Sequence, residues 1–576
     1  MFSYIIWLLI LIIWVFHSQL FGYFWYENLL VSWNYEYTKV TLFNIFIPII
    51  FILFLLKNYI FKEKIEINNN YINLLLIIYI MIWISTFFSF IPNVSIFWWL
   101  DKSHWLFFIN NLFLFFIIIF HIFSKNKWKL LLHFLVFTTV ILTVIGIKEL
   151  YLPSYNYWDL WNRLISTLWH PNYISALYVM IIPYTVSLLK NYRWYKKYFI
   201  FIITVLFLLG LMLTKSYIAI FLVFSYLIYE ILWKNNKFLY SLFIIFSLFI
   251  WSILIFNYFP EKLNSLISRF YIWETTLKII FSDIKIFFFW IWAENLKFLF
   301  DNFKSTELYL YENIWFNADR PHNIFLNIWI HYWVFLLLFA LAWFYKLTIN
   351  IFKNNNWYST SLLLVIIFWC FNFPNLIGYV FFIMILSHYL VKNYTLNLIN
   401  KIKPHSYYTR NLFILFLLII SILWWYHSTQ AYLSQTYIKK DNYTQAINTF
   451  PYYWEYHFNL LDFQSWLTVD NYFKTEKYYL YKIYFSFEKI PECNNLVQHY
   501  WIVENYLYCW ELIENKFGFE KAKPFYQKAI AKMPDIWNNN SEYLQNKYSN
   551  KVINPDRILH PKFSNITEVL EKLNIK

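Results

Sequence analysis

Three short segments of this chain gather polar side chains that are rare within apolar sequence. The first runs from Arg163 to Asn172 and includes His170 and Pro171. The second is Ser268-Arg269-Phe270-Tyr271-Ile272-Trp273, and the third is Asp319-Arg320-Pro321-His322-Asn323. A guanidinium can donate two parallel hydrogen bonds to phosphoryl oxygens, so Arg163, Arg269 and Arg320 on one side of a membrane would form a clamp for a diphosphate, and a lipid diphosphate would suit it. His322 is the candidate general acid–base: imidazole titrates near neutral pH and can take a proton from an acceptor hydroxyl. The charge of Arg320 favours the neutral, basic form of His322. His170 is the second candidate, placed with Asn172 to cap or orient the following helix. Each arginine also has a structural alternative, an ion pair with Asp159, Glu274 or Asp319 that anchors a loop.

The chain shows no Cys/His cluster, paired-acid metal spacing, phosphate-binding loop or dinucleotide fingerprint, so neither a metal nor a nucleotide cofactor is expected. Of its three cysteines, Cys370 lies in an apolar run and reads as a small core residue. Cys493 and Cys509 fall in the C-terminal region, where a disulfide is chemically allowed and their pairing stays open.

The elements that carry these segments are set by hydropathy. Hydrophobic residues make up 60% of the 576, and charged residues 14%, against roughly 45–50% and about 25% in soluble globular proteins. The apolar residues form runs long enough to cross a bilayer core, which takes about 20 helical residues. Spans are expected near 4–22, 39–56, 71–92, 104–124, 130–151, 172–189, 198–213, 217–233, 239–257, 323–345, 359–373, 375–391 and 412–428. The fold class is therefore all-α: a polytopic transmembrane bundle of about thirteen spans over residues 1–430, then a soluble helical domain over 431–576. No cation precedes the first run and no small-residue cleavage site follows it, which marks an anchor helix rather than a signal peptide.

The net charge of +15 is distributed by side. With the N-terminus in the cytoplasm, the inward loops carry Lys57, Lys62 and Lys64; Lys125, Lys127 and Lys129; Lys190, Arg193, Lys196 and Lys197; Lys234 and Lys237; Lys346 and Lys353; and Lys392, Lys401, Lys403 and Arg410. Every inward loop is basic, so the positive-inside rule orients the chain and puts the C-terminal domain outside the cytoplasm. The charge needs no nucleic-acid partner. All three polar segments then face outward, two of them in the long loop 258–322. Within that loop, Ile286 to Trp292 is very apolar but flanked by Asp283, Lys285, Glu294 and Lys297, and reads as an interfacial or re-entrant element. If it spanned instead, all later basic loops would face outward.

Beyond about residue 430, charges become frequent and aromatic residues recur at helical spacing. Three segments end alike, at Pro451, Pro491 and Pro534, and the spacing of roughly 40 residues is near that of helix-hairpin repeats. The Lys-Ala-Ile-x-x-x-Pro pattern of Lys528 to Pro534 is similar to the second helix of a tetratricopeptide repeat, with ordinary helical hairpins as the alternative.

Glycine occurs 5 times and tryptophan 31 times. The abundance of Ile, Asn, Lys, Tyr and Phe points to an AT-rich genome, which depletes both residues because both have G-rich codons. Excess tryptophan contradicts that bias. Translation of UGA as tryptophan where the organism reads glycine accounts for it, and Trp169, Trp290, Trp292 and Trp333 stand where a turn or close packing favours glycine. The alternative is aromatic girdling at the membrane interface.

In this order the clusters resemble the O-antigen ligase and Wzy polymerase superfamily, membrane glycosyltransferases that use undecaprenyl-diphosphate-linked glycans, over about residues 90–345. The matches are Arg163 with Trp169-His170-Pro171-Asn172; Arg269 and Trp273 before Phe289-Trp290-Ile291-Trp292; and Asp319, Arg320, His322, Asn323, Leu326 and His331-Tyr332-Trp333. Tryptophan stands at the family's glycines, and His331 where glutamate is usual. The resemblance implies a metal-independent transfer without cofactor in the inner or plasma membrane, serving cell-surface polysaccharide assembly. Arginines would hold the departing diphosphate, the larger catalytic effect, while His322 activates an acceptor hydroxyl for attack at the anomeric carbon. The donor would be an undecaprenyl-diphosphate-linked glycan and the acceptor a lipid or protein, with an envelope protein as a partner for the C-terminal repeats. Ligase, polymerase and protein oligosaccharyltransferase remain open within this class. A polysaccharide flippase is the alternative from another class, and would show repeated halves and charges at mid-span. A scaffold role for the repeats could coexist with catalysis.

Overall fold

A computed structural model describes residues 35–60, 78–84, 106–124, 128–151, 163–168, 170–233, 260–289, 320–332, 334–354, 356–372, 374–394 and 407–438, with a few isolated positions elsewhere. Among these residues every regular element is helical. A helix satisfies its own backbone donors and acceptors, which lipid cannot do for it. In chain order the helices are α1 (Tyr35–Ile60), α2 (Leu106–Ser124), α3 (Trp128–Tyr151), α4 (Pro171–Asn191), α5 (Trp194–Leu213), α6 (Tyr217–Ile228, continued by a π turn at Tyr229–Trp233), α7 (Pro260–Ser282), α8 (Ile284–Phe289), α9 (Ile324–His331), α10 (Val334–Asn354), α11 (Trp357–Trp369), α12 (Leu376–Tyr394) and α13 (Tyr407–Ile438).

Among the described residues four helical stretches, not about thirteen, are long and apolar enough to cross a membrane: Lys129–Leu150, Pro171–Asn191, Trp194–Leu213 and Val334–Ile351. Shorter apolar helices run over Leu42–Lys57, Phe108–Phe123, Tyr217–Ile231, Trp357–Trp369 and Leu376–Lys392. One expected span is broken outright. At 323–345 the chain forms α9, leaves helical geometry at Tyr332 (φ −126, ψ −68), and restarts as α10 at Val334. Hydropathy averages over a window and cannot register such a joint. The runs at 4–22 and 239–257 lie outside the described residues, 71–92 is described over 78–84, and the last run lies within α13, which continues to Ile438.

The distribution of side chains fits a membrane protein. On α5 the exposed positions include Phe199, Ile202, Val205, Leu209 and Met212, and on α13 Leu415, Ile419, Ile422 and Leu423. Inside, polar groups find each other: Asn111 Nδ2 donates to Asn44 Oδ1 at 2.9 Å, the Tyr178 and Thr143 hydroxyls lie 2.9 Å apart, and the Tyr79 hydroxyl bonds Asn110. Apolar surface outside and paired polar groups inside invert the pattern water would impose.

The described chain falls into two compact units. In the first, α4 packs against α5, α6, α11 and α12, and its two ends meet different partners. At the Pro171 end lie the turns 163–168, 214–216 and 372–375. At the other end His133 sits between the hydroxyls of Tyr184 (2.9 Å) and Tyr192 (3.0 Å), and Trp357 stacks on His388 with ring centroids 5.4 Å apart. There too Lys190 pairs with Glu230.

The second unit holds α7, α8 and α9. The segment read from sequence as an outward loop contains α7, a helix of 23 residues. Ile272, Ile279 and Ile280, at i, i+7 and i+8, share one face of α7 and form a core with Ala318 and Ile330. Of the apolar stretch from Ile286 to Trp292, residues 286–289 lie in α8, and residues 290–292 lie outside the described residues.

Candidate functional site

Residues 163–172 of the first polar segment lie in the first unit, and 268–273 and 320–323 lie in the second. In the first unit Thr214 and Lys215 close the end of α5, Thr214 N donating to Gly210 O and Leu211 O and Lys215 N to Met212 O. Residues 163 and 164 take the carbonyls that follow: Leu164 N donates to Leu213 O at 2.9 Å, Arg163 Nε to Thr214 O at 2.7 Å, and Arg163 Nη2 to Lys215 O at 3.3 Å. A cation at a helix C-terminus also complements the macrodipole. Arg163 is buried, and burial pushes its guanidinium down to about 10, so it remains charged at neutral pH. Lys215, just past the helix, takes the left-handed conformation with φ +50 and leaves its side chain exposed.

A chain of side-chain bonds extends this corner. Ser216 Oγ donates to Asn172 Oδ1 at 3.2 Å, Asn172 Nδ2 to Asn372 Oδ1 at 2.7 Å, and Asn372 Nδ2 to Phe368 O at 3.2 Å. Ser175 Oγ lies 2.9 Å from Thr214 Oγ1. His170 is the N-cap of α4, its Nδ1 accepting from Asn172 N at 3.2 Å, which fixes the ring proton on Nε2. On α12 the cap is Asn375, whose Oδ1 accepts from Gly378 N at 2.9 Å. Thr214, Ser216, Asn372 and Asn375 were not legible as site residues, because each is a lone small polar group beside an apolar run.

In the second unit Arg269 and Trp273 stand on α7, and Arg269 precedes buried Ile272 by one turn, on the face packed toward Ala318 and Ile330. Glu274, a candidate partner for Arg269, pairs instead with Lys278 at 2.7 Å. Arg320 is 5% exposed. His322 is half-buried and held at φ +52, a sparsely populated region that histidine enters more readily than most residues but still at a cost. Asn323 then caps α9, its Oδ1 accepting from Phe325 N at 3.0 Å and Leu326 N at 3.2 Å. The cap rigidly follows the strained residue. One turn on, Asn327 is 5% exposed and among the described residues its Oδ1 meets no hydrogen-bond donor. Asn323, Asn327 and buried His331 share one stripe of α9 at i, i+4 and i+8. The i, i+4 spacing of the asparagines was the signal for Asn327, and it passed unread beside the His-Asn pair.

No protein-family model, curated protein or solved structure matches the chain. Asp159, Trp169, Trp290, Trp292, Asp319, Trp333, Cys493 and Cys509 lie outside the described residues. Among the described residues no three His, Cys, Asp or Glu side chains gather as a metal site would require.

Proposed function

We propose that the chain is an O-antigen ligase-like transferase that moves a glycan from an undecaprenyl-diphosphate carrier to an acceptor hydroxyl. The observation that carries this reading is the 320–323 turn. A buried guanidinium stands two residues before an imidazole held in left-handed backbone, and a capped helix follows immediately. Strain of this kind persists only where the surroundings enforce it, and it concentrates at functional sites. Arg320 and Arg269 supply positive charge for a departing diphosphate, and His322 takes the proton of the attacking hydroxyl. Arg163 holds the turn after α5 and acts on the reaction through position. About thirteen spans, an N-terminus inside and a C-terminal repeat domain outside complete the reading, supported by the basic inward loops.

Reconstitution with a polyprenyl-diphosphate oligosaccharide tests the proposal, comparing the parent with His322→Ala and Arg320→Ala. Both variants are expected to bind membranes normally and to lose transfer. Undiminished transfer by both would remove the site, and movement of the lipid across the bilayer without transfer would make the chain a flippase. Product length separates ligation from polymerisation.

A further inference from the structure

Each glycine within the described helices stands where another segment comes close. A β-carbon at 146 would lie 2.9 Å from Leu164, one at 378 would lie 3.1 Å from the Trp369 ring, and one at 210 would collide with the Tyr178 hydroxyl. Close helix packing in membranes depends on such positions. Yet only 5 of 576 residues are glycine, while 31 are tryptophan. The two together come to about 6% of the chain, near the roughly 7% that glycine alone contributes in an average protein.

Several tryptophans stand at the ends of helices. Trp128, Trp194 and Trp357 open helices α3, α5 and α11, Trp369 closes α11, and Trp233 closes the π turn after α6. In sequence, Trp169 directly precedes the cap of α4, and Trp333 separates the end of α9 from the start of α10. Aromatic belts at the membrane surface explain tryptophan near helix ends, but they do not explain two further features. Trp194 has φ +49, a conformation that is an outlier for a bulky side chain and is adopted freely by glycine. Trp369 is buried, its ring centroid 6.0 Å from that of Tyr379 and 5.3 Å from that of Phe382, and among the described residues its indole N–H meets no acceptor, whereas a buried indole normally finds one. Trp329 makes the opposite case. Its ring meets Phe281 and Phe287 edge-on at 5.6 and 5.5 Å, and its Nε1 donates to Phe287 O at 3.3 Å.

We infer that the native protein carries glycine at 169, 194, 333 and 369, from UGA codons that the organism reads as glycine, while Trp329 is native tryptophan. UGA specifies tryptophan in some genetic codes and glycine in others, so one codon produces both the deficit and the excess. The inference stands apart from the proposed transferase activity. Shortened side chains at 169 and 333 would fall beside His170 and after His331, within the segments that carry the candidate site.

Two measurements decide it together: the codons at these five positions, and tandem mass spectrometry of peptides from the protein isolated from the cells that make it. UGA with glycine at 169, 194, 333 and 369, and UGG with tryptophan at 329, is the expected result. Tryptophan at 194 and 333 in the native peptides overturns the inference. Glycine at 329 as well overturns the sorting of native from recoded positions by indole hydrogen bonding and backbone conformation.

Discussion

The two arginine-bearing corners are built from the same residue types and use them differently. At the 163–216–372 corner most side-chain hydrogen bonds close on the protein: Arg163 on the carbonyls of Thr214 and Lys215, Ser216 on Asn172, Asn172 on Asn372, and Asn372 on Phe368. Left-handed backbone occurs in both corners, at Ser166 and Lys215 in the first and at His322 in the second, and each leaves one buried amide atom without a partner among the described residues, Asn375 Nδ2 and Asn327 Oδ1. What differs is that the first corner commits its arginine and asparagines to a closed network, which adds rigidity and specificity, while the second places an imidazole in the left-handed position beside Arg320. The comparison assigns scaffold work to the first corner and chemistry to the second, although arginine and histidine occur in both.

The largest effect expected from this division is at His322. Replacement by alanine should lower transfer about 10²–10⁴-fold, the usual contribution of a general base. His322→Gly relaxes the left-handed backbone and should be equally inactive. A glycine variant with parental turnover would show that backbone shape, and not the imidazole, is what the corner supplies.

Arg163→Ala should act on stability instead, at about 3 kcal/mol, because it strips two buried, charge-assisted hydrogen bonds from the turn after α5 and leaves the Thr214 and Lys215 carbonyls without them. Thermal unfolding in detergent would show the loss, with transfer per folded molecule within a few-fold of the parent. Lost transfer with an unchanged midpoint would erase the distinction and move Arg163 into the diphosphate clamp.

A smaller effect tests how tightly the first corner closes. In a double-mutant cycle, Asn172→Ala and Asn372→Ala should couple by about 1 kcal/mol, as one buried hydrogen bond does. Additive losses would mean that the 2.7 Å contact between Asn172 and Asn372 adds nothing beyond packing.

Asn327→Leu should give the smallest change in folding and the opposite sign. It removes an unsatisfied buried oxygen and should stabilise by up to about 1 kcal/mol, while raising KM for the acceptor several-fold. A gain in stability with an unchanged KM would make Asn327 an ordinary core residue and narrow the chemical corner to residues 320–323.

Much of the fold was legible in advance because its determinants are local. The helices α3, α4, α5 and α10 announce themselves as apolar runs, and basic residues mark the ends that gather away from Pro171. The 258–322 segment was harder. The helix α7 buries one face only, so its mean hydropathy is low, and its Ile272, Ile279 and Ile280 periodicity had to be read against a partner that the sequence does not reveal. The break at Tyr332 also escaped, since no proline marks it.

Sequence alone determined that the chain is helical and apolar enough for a membrane, where its cations lie, and which segments join Arg, His and Asn within a few residues. Those properties depend on composition and short spacing. Tertiary structure decided which polar groups are already satisfied. The bond from Asn172 to Asn372 crosses 200 residues, and Arg163 reaches carbonyls 51 and 52 residues away. A side chain's remaining hydrogen-bonding capacity is set by what folding brings beside it, and that quantity separates a helix cap from a candidate catalytic residue.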